Sequence, residues 1–496
     1  MGIVRKQSIQ SSIISYVGAV LGFVNKVLIF TQFLTEEEVG LANILLTLGL
    51  LYATFSSLGY VNVILRFFPY FRDRERQHHG FLSWALVIST LGFLFITLNF
   101  VLLKPLIVER FSDNSPLLIE YYYYIVPLGL FSLYFQVFES YLRSLFKTVV
   151  PVLFQEVIQK LFVMASVLIY AAGWVDFEGF VMIYVGLISS VTLLMVVYIA
   201  YLRQLHLRLR ISWRFRKLNY RMLVFGGFTL LSNISVIVLF NIDSIMLADF
   251  KGMDAVGIYT TAYYITALLL IPWRAIQKIT SPLVAEYWQA GKMADMDRLY
   301  KRTSLINFVL GAFLFLGLMT NAHNLFALMP ASYSGGLVVL FFIGLTRVID
   351  MLTGLNGYIL ITSRLYRYDL IFNGLLVVFA VLLNWLLIPP YGISGAALAT
   401  GLSVLLGNLF RLIFVWYHFK LQPFTWPMLL VLVVTGAAFA VQMVIPRLDW
   451  VWLDLIVRGG VVVLVYGGLT LLLRVTPDAN NLLRVLLKRL GVAEQN

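Results

Sequence analysis

Arg274 and Lys278 stand four residues apart in a long apolar stretch that also carries Pro272 and Pro282. On a helix both cations share one face. Two like charges so placed repel, and a phosphate or pyrophosphate opposite them would satisfy both, Arg with a bidentate fork and Lys with a point charge. The other reading is structural, with the two cations paired to acids of neighbouring helices. Lys26, beside Asn25, and Arg66, one turn after Asn62, are placed to join them; Arg66 is close enough to its helix end to snorkel to the interface instead. Arg347 is a candidate for the same anion and, three residues before Asp350, for an ion pair. Asp243, Glu139 and Asp350 are the acids that could bind a coupling proton or sodium, because a carboxylate in a low-dielectric site can take either and so shift a conformational balance. Arg143 sits one turn from Glu139, which favours a structural pair there as for Arg347 and Asp350, and leaves Asp243 as the stronger coupling candidate. A contact between Lys26 and Asp243 that closes the periplasmic side is a further expectation.

These residues matter because of where they lie. Nine cations fall inside apolar stretches: Lys26, Arg66, Arg143, Lys160, Arg274, Lys278, Arg347, Arg411 and Arg458. Five acids accompany them: Glu139, Glu156, Asp243, Asp350 and Asp454. A cation at the centre of a lipid-facing helix costs about 2.5 to 3.5 kcal/mol, so these groups must face water or one another. The excess of cations predicts a cavity of net positive potential whose guest is an anion. Glu156 with Lys160 and Asp454 with Arg458 have the spacing of local pairs.

The elements that position them are membrane spans. The chain has 496 residues, 60% hydrophobic and only 12% charged, with a mean hydropathy of +0.88. Soluble proteins carry about twice that charge. Apolar windows give fourteen spans, at about 8–34, 40–68, 80–103, 119–146, 150–173, 178–202, 220–248, 257–288, 303–322, 334–361, 368–388, 393–418, 425–446 and 451–473. The first is too long for the apolar core of a signal peptide and reads as an uncleaved span. With a cytoplasmic N-terminus, one side of the membrane holds most of the remaining Lys and Arg, and the other only Lys104, Arg110, Lys251 and Arg447. That asymmetry obeys the positive-inside rule and puts both termini in the cytoplasm.

No cysteine is present, so thiol catalysis and thiolate metal sites are excluded. The five histidines have no metal-ligand spacing, no GxxxxGK[ST] phosphate loop occurs, and the longest loop on the sparsely charged side, about 104–118, is too short to fold as an external domain. Neither an enzyme nor a metal site is expected.

A shift of 217 residues lays Val39-Gly40 on Val256-Gly257, Leu51 on Leu268 and Tyr70 on Tyr287. Spans 1 and 2 then correspond to spans 7 and 8, the parallel-repeat organisation of a rocking transporter. The expected division is an N-terminal lobe over 1–202, a basic cytoplasmic linker over 203–219, a C-terminal lobe over 220–418, two extra spans over 419–474 and an amphipathic cytoplasmic tail over 475–496. The linker alternates apolar and basic residues, as an extended strip on the membrane surface would.

Two stretches resemble a known family. Phe225-Gly226-Gly227 leading to Asn241-Ile242-Asp243-Ser244-Ile245-Met246-Leu247 and Val256-Gly257-Ile258-Tyr259 is similar to the start of the second half of Wzx-type polysaccharide flippases. Asn384-Trp385-Leu386-Leu387-Ile388-Pro389-Pro390-Tyr391-Gly392-Ile393-Ser394-Gly395-Ala396-Ala397 resembles the same family's span 11 to 12 signature. The resemblance places the chain in the multidrug, oligosaccharidyl-lipid and polysaccharide exporter superfamily. It implies an all-α membrane protein of about fourteen helices, in two pseudo-symmetric six-helix lobes around a central cavity, with two extra helices. It also implies translocation of an undecaprenyl-pyrophosphate-linked glycan from the cytoplasmic to the periplasmic leaflet of a bacterial inner membrane, by alternating access and without a cofactor, with coupling to protons or sodium left open. The partners it implies are that glycolipid, the bilayer and the polysaccharide polymerase machinery, and no nucleic acid. A multidrug or toxin exporter and a lipid II flippase are the alternatives. An organic cation would ask for a cavity lined with acids and ring faces. Pro389 and Pro390 are expected to end a span, and Gly392, Gly395, Ala396 and Ala397 to allow close helix approach.

Overall fold

The computed structural model describes residues 2–73, 75–207 and 216–476. The alternating part of the linker and nearly all of the C-terminal tail lie outside the described residues. Within them all regular structure is helical. Twelve helices are long and apolar enough to cross a membrane. One of these, Arg367–Phe419, has 53 residues. A straight helix of that length would measure about 80 Å against a hydrocarbon core of about 30 Å. It turns at Gly392, at φ 56° and ψ −131°, directly after Pro389 and Pro390, and so supplies spans 11 and 12. Adding Arg216–Phe250, 35 residues at the position of span 7, gives the fourteen spans expected.

Gly392 departs from its expected role. Its nearest outside neighbour would be Lys251 Cε, 4.0 Å from a Cβ placed there, so it serves the turn and not close packing. Ala396 and Ala397 are fully buried, as the close-approach reading requires.

Several spans are locally irregular where charged residues sit. Span 1 passes through a π-helical segment at Val24–Ile29, which contains Asn25 and Lys26, and span 5 through another at Phe154–Ile158, which contains Glu156. Each inserts an extra residue per turn and redirects the side chains beyond it. Span 2 starts at a capping box between Thr35 and Glu38 and breaks at Gly59, φ 73°, into Glu36–Ser56 and Tyr60–Phe71. Span 8 runs through Met253–Ala290, with a 3-10 turn at Ala267–Leu269 immediately before Pro272, where the proline removes the N–H that Leu268 would have bonded. Span 10 breaks at Gly354, φ 61° and ψ −107°, between Gly336–Thr353 and Asn356–Thr362.

The chain forms two compact units, one of residues 1–261 with 388–393 and the other of residues 262–387 with 394–496. In the first unit small residues set the helix spacing. A Cβ on Gly49 would stand 3.0 Å from Leu128, one on Gly129 2.6 Å from the Tyr52 ring, and one on Gly18 2.6 Å from the Glu156 carbonyl oxygen. In the second unit two apolar clusters form the core. Leu305, Phe308, Ala312 and Leu316 of span 9 pack with Val431, Val434, Val462 and Tyr466 of spans 13 and 14, and Val284, Met296 and Tyr300 pack with Leu355, Ile359 and Val415.

Candidate functional site

In the first unit several of the candidate residues lie where spans 1, 2 and 7 meet the start of span 8. Gly40 faces the carbonyl oxygen of Met253, and Gly257 faces that of Glu36, each so closely that a Cβ would overlap the carbonyl. Met253 is the repeat mate of Glu36, and Gly257 that of Gly40. Three residues further on, Asn43 Nδ2 donates to Thr260 Oγ1 at 3.0 Å, a bond between residues 217 apart. The weak sequence repeat is therefore a spatial one: equivalent residues of spans 2 and 8 touch each other reciprocally, as a local two-fold axis demands. The contact lies at the starts of both helices, the periplasmic end in the topology that the charge bias assigns.

Around this crossing each half ties the charged residue of its first span to its own second span. Lys26 Nζ donates to Asn43 Oδ1 and lies over the Phe30 ring, 4.7 Å from its centroid. Asp243, 3% exposed, accepts from Tyr259 Oη at 2.7 Å. Lys26 and Asp243 are mates under the same shift. The expected Lys26 to Asp243 contact is thus replaced by two parallel ones, each made within its own half. Asn25 is buried, with its amide donating to the Lys160 carbonyl at 2.7 Å. Lys160 in turn bridges Glu156 Oε2 at 2.7 Å and the Gly18 carbonyl at 2.8 Å, so Asn25, Lys160 and Glu156 together join span 1 to span 5. Arg66 is exposed and lies over the Phe225 ring at 4.4 Å, while Thr229 Oγ1 approaches the Gly59 carbonyl at 3.4 Å; these contacts fasten the later part of span 2 to the early part of span 7. Glu139 is half-buried, with Arg143 at 3.7 Å.

The opposite end of span 7 is held by the loop between spans 3 and 4. Arg110 forms a two-pronged pair with Asp249, Nε to Oδ1 at 2.7 Å and Nη2 to Oδ2 at 2.8 Å. The hydrogen bond to Asp249 raises the guanidinium's pKa. Asn114 Nδ2 donates to the Asp249 carbonyl at 2.7 Å and Ser115 Oγ to the Ala248 carbonyl at 2.6 Å. Both carbonyls belong to the last turn of a helix, where no intrahelical partner exists, so the loop caps span 7 from outside. Asn114→Ala and Ser115→Ala together are expected to lower the detergent-solubilised protein's melting temperature by a few degrees, chiefly because the buried Ala248 carbonyl loses its partner at about 1 kcal/mol or more, the bond to the Asp249 carbonyl being exposed; an unchanged melting temperature would show that span 7 does not depend on this cap.

In the second unit, Arg274 and Lys278 are both exposed on span 8. Among the described residues no acid lies within ion-pair distance of Arg274. Further along the same face, Tyr263 receives Arg347, whose guanidinium lies 4.9 Å from the ring centroid. Arg347 is buried, with Nη1 3.9 Å from Asp350 Oδ2. Asp350 also accepts from Asn408 Nδ2 at 2.7 Å, and Asn408 Oδ1 accepts from Thr353 at 3.1 Å and Asn356 at 3.3 Å, so one amide of span 12 spans the break in span 10.

The charge balance inside the membrane is closer than the apolar windows suggest. Asp369, in the first turn of span 11, and Glu286, near the end of span 8, also lie within the helices and add to the five acids expected there. Asp369 escapes notice because its partner, Arg411, is 42 residues away; Nε reaches Oδ1 at 2.9 Å and Nη2 reaches Asn373 at 2.5 Å. Both members are largely buried. Asp369→Asn is expected to cost about 3 kcal/mol by leaving a buried charge without its counterion, read as a lowered melting temperature that Asp369→Asn with Arg411→Met partly restores. Asp243, Asp350, Asp369, Asp454, Glu139 and Glu156 are each engaged inside the helix packing, whereas the side chains of Arg274 and Lys278 are exposed.

Asn43, Thr260, Tyr259, Tyr263 and Asn408 are absent from the sequence-based site. For the first two a signal existed: the 217-residue shift aligns them, and both are polar within apolar helices. Nothing local marks Asn408.

Helices of this number, length and order define a multi-span membrane protein. Solved structures share the fold. A lipid II flippase MurJ in an inward closed conformation superposes with a TM-score of 0.71 at 13% identity, over 94% of this chain and 100% of that one. An inward-facing multidrug resistance MATE family transporter of the MOP superfamily gives 0.63 at 15%, over 82% and 98%. The profile of the family described as polysaccharide biosynthesis protein matches residues 4–288, and the chain belongs to that family. A probable flippase, AglR of Haloferax volcanii, is 30% identical over 176 residues, 34% of this chain. The match spans only 36% of that relative's length.

Proposed function

We propose that this protein is a flippase that carries a polyprenyl-pyrophosphate-linked oligosaccharide from the cytoplasmic to the periplasmic leaflet by alternating access. The observation that carries this reading is the pair Arg274 and Lys278, exposed side by side near the middle of Met253–Ala290. A charge there that faced lipid would cost about 2.5 to 3.5 kcal/mol, so both are taken to face a hydrated path, where a pyrophosphate is the group that matches two adjacent cations. Arg66 and Arg347 are assigned to the same anion's route, and Lys26 with Asn25 to the span 1 wall beside it. Asp243, Glu139 and Asp350, each already bonded, are assigned to gating. Family membership and the flippase named among its relatives support the substrate class. The membrane assigned is a cytoplasmic membrane with both chain termini inside, and the lobes expected from the repeat, 1–202 and 220–418, are the bodies that would rock. Outward movement of negative charge from a cell that is negative inside is favoured by about 2.3 kcal/mol per charge per 100 mV.

The test is translocation of a fluorescent polyprenyl-pyrophosphate oligosaccharide in proteoliposomes, beside the double variant Arg274→Ala, Lys278→Ala and an organic-cation uptake control. Glycolipid movement that fails in the variant is the expected result. Organic-cation uptake without glycolipid movement would transfer the protein to drug export.

A further inference from the structure

Lys26 differs from the other intramembrane charges at the crossing of spans 2 and 8. Its side chain is half-buried, yet no carboxylate is within ion-pair distance among the described residues. Its hydrogen-bond partner is a neutral amide oxygen, that of Asn43. Of the acids on the elements around it, Glu156 bonds Lys160 at 2.7 Å, Glu38 bonds Tyr170 at 3.1 Å and Asp243 bonds Tyr259 at 2.7 Å, while Glu36, Glu37 and Asp254 stand in the first turns of spans 2 and 8. Asn43 is what joins Lys26 to the crossing. Its Oδ1 accepts from Lys26, and its Nδ2 donates to the Val39 carbonyl at 2.8 Å and to Thr260 on span 8 at 3.0 Å. With the oxygen held by Lys26, the amide's donor end is turned to Thr260, three residues from the Gly40 and Gly257 contact. A bond from an ammonium to an amide oxygen is about twice as strong as one from a neutral amine, so the charge on Lys26 sets how firmly that amide is oriented.

We propose that Lys26 is the proton carrier of the transport cycle and that its protonation closes the span 2 to span 8 crossing. When the crossing is parted, the lone pair on Lys26 Nζ takes a proton from periplasmic water. The ammonium so formed donates to Asn43 and turns it onto Thr260. The proton later leaves Nζ for cytoplasmic water, the amide is released, and the crossing can part again. One proton enters for each glycolipid that leaves. The inference rests on the flippase reading, and its failure is separable from failure of that reading.

Lys26→Arg and Lys26→Met, in proteoliposomes in sodium-free potassium buffer with an internal pH dye, test it. Wild-type protein should move protons in step with glycolipid, and one pH unit, acid on the periplasmic side, should speed translocation by up to about tenfold, the bias one proton supplies. Arginine keeps the charge and the donors but does not release its proton. Lys26→Arg should therefore melt within a degree or so of wild type while losing both proton movement and the gradient effect, and Lys26→Met should lose both as well. Gradient-driven proton movement surviving in either variant would overturn the proposal. Glycolipid translocation by wild-type protein without proton movement would sink it and leave the flippase standing; no translocation at all would sink both.

Discussion

Arg274→Ala with Lys278→Ala is expected to reduce glycolipid translocation at low substrate about 100-fold while leaving the melting temperature within a degree of wild type. Each cation is assigned a charge-assisted hydrogen bond to phosphate, worth about 1.5 kcal/mol net at the low end, and every 1.4 kcal/mol is a factor of ten. Stability should be spared because both side chains are exposed on span 8. The single variants should differ. Arg274→Lys keeps the charge but loses the planar fork, so it should retain more activity than Arg274→Ala and less than wild type. The measurement is the initial rate across a substrate series, with the melting temperature beside it. A double variant that is as active as wild type would leave the pair as ordinary helix-surface charge. One that is inactive only because it unfolds would make it structural.

Gly40→Ala and Gly257→Ala should each lower transport at least tenfold and destabilise the protein by about 3 kcal/mol, and by similar amounts to one another. A methyl group at either position would overlap a backbone carbonyl, that of Met253 or that of Glu36. Overpacking usually costs about 1 to 3 kcal/mol because side chains can yield; here the obstacle is backbone, so the two helices themselves must move apart. The near-equality of the two effects is the distinguishing result, since it follows from the reciprocal geometry of the repeat. Gly436→Ala, where a Cβ meets nothing within 4 Å, is the control and should change neither quantity. Because the chain has no cysteine, Asn43→Cys with Thr260→Cys offers a direct readout. Crosslinking between the two should be efficient with both glycines present and fall when either is replaced. Wild-type transport and stability in Gly40→Ala would show that spans 2 and 8 do not need this contact.

What could be read from the amino acids was whatever depends on neighbours along one helix. Glu156 with Lys160 and Asp454 with Arg458 are spaced one turn apart, and each pair closes at 2.7 Å. The two proline residues before Gly392 marked the turn between spans 11 and 12, although the glycine's part is its positive φ and not close packing. The faint 217-residue repeat had the right register and makes Asn43 equivalent to Thr260, although their contact appears only in the structure. What could not be read were partners on different helices. Arg411 and Asp369 lie on spans 12 and 11, and Asn408 gathers Asp350, Thr353 and Asn356 across a helix break. No periodicity reports such pairings, because they depend on how each span is rotated about its axis.

Hydropathy along the chain sufficed for the fourteen spans, and two short motifs for the family, because insertion into a bilayer depends on the transfer free energy of each segment taken nearly by itself. The commitments of the charged residues were decided only when the helices packed. Lys26 and Asp243, mates in the repeat, could have met each other; instead each bonds the next span of its own half. A side chain in a low-dielectric interior must find the partner that packing brings within about 3 Å, and packing is set by small residues such as Gly40 and Gly257 whose consequence appears only in three dimensions.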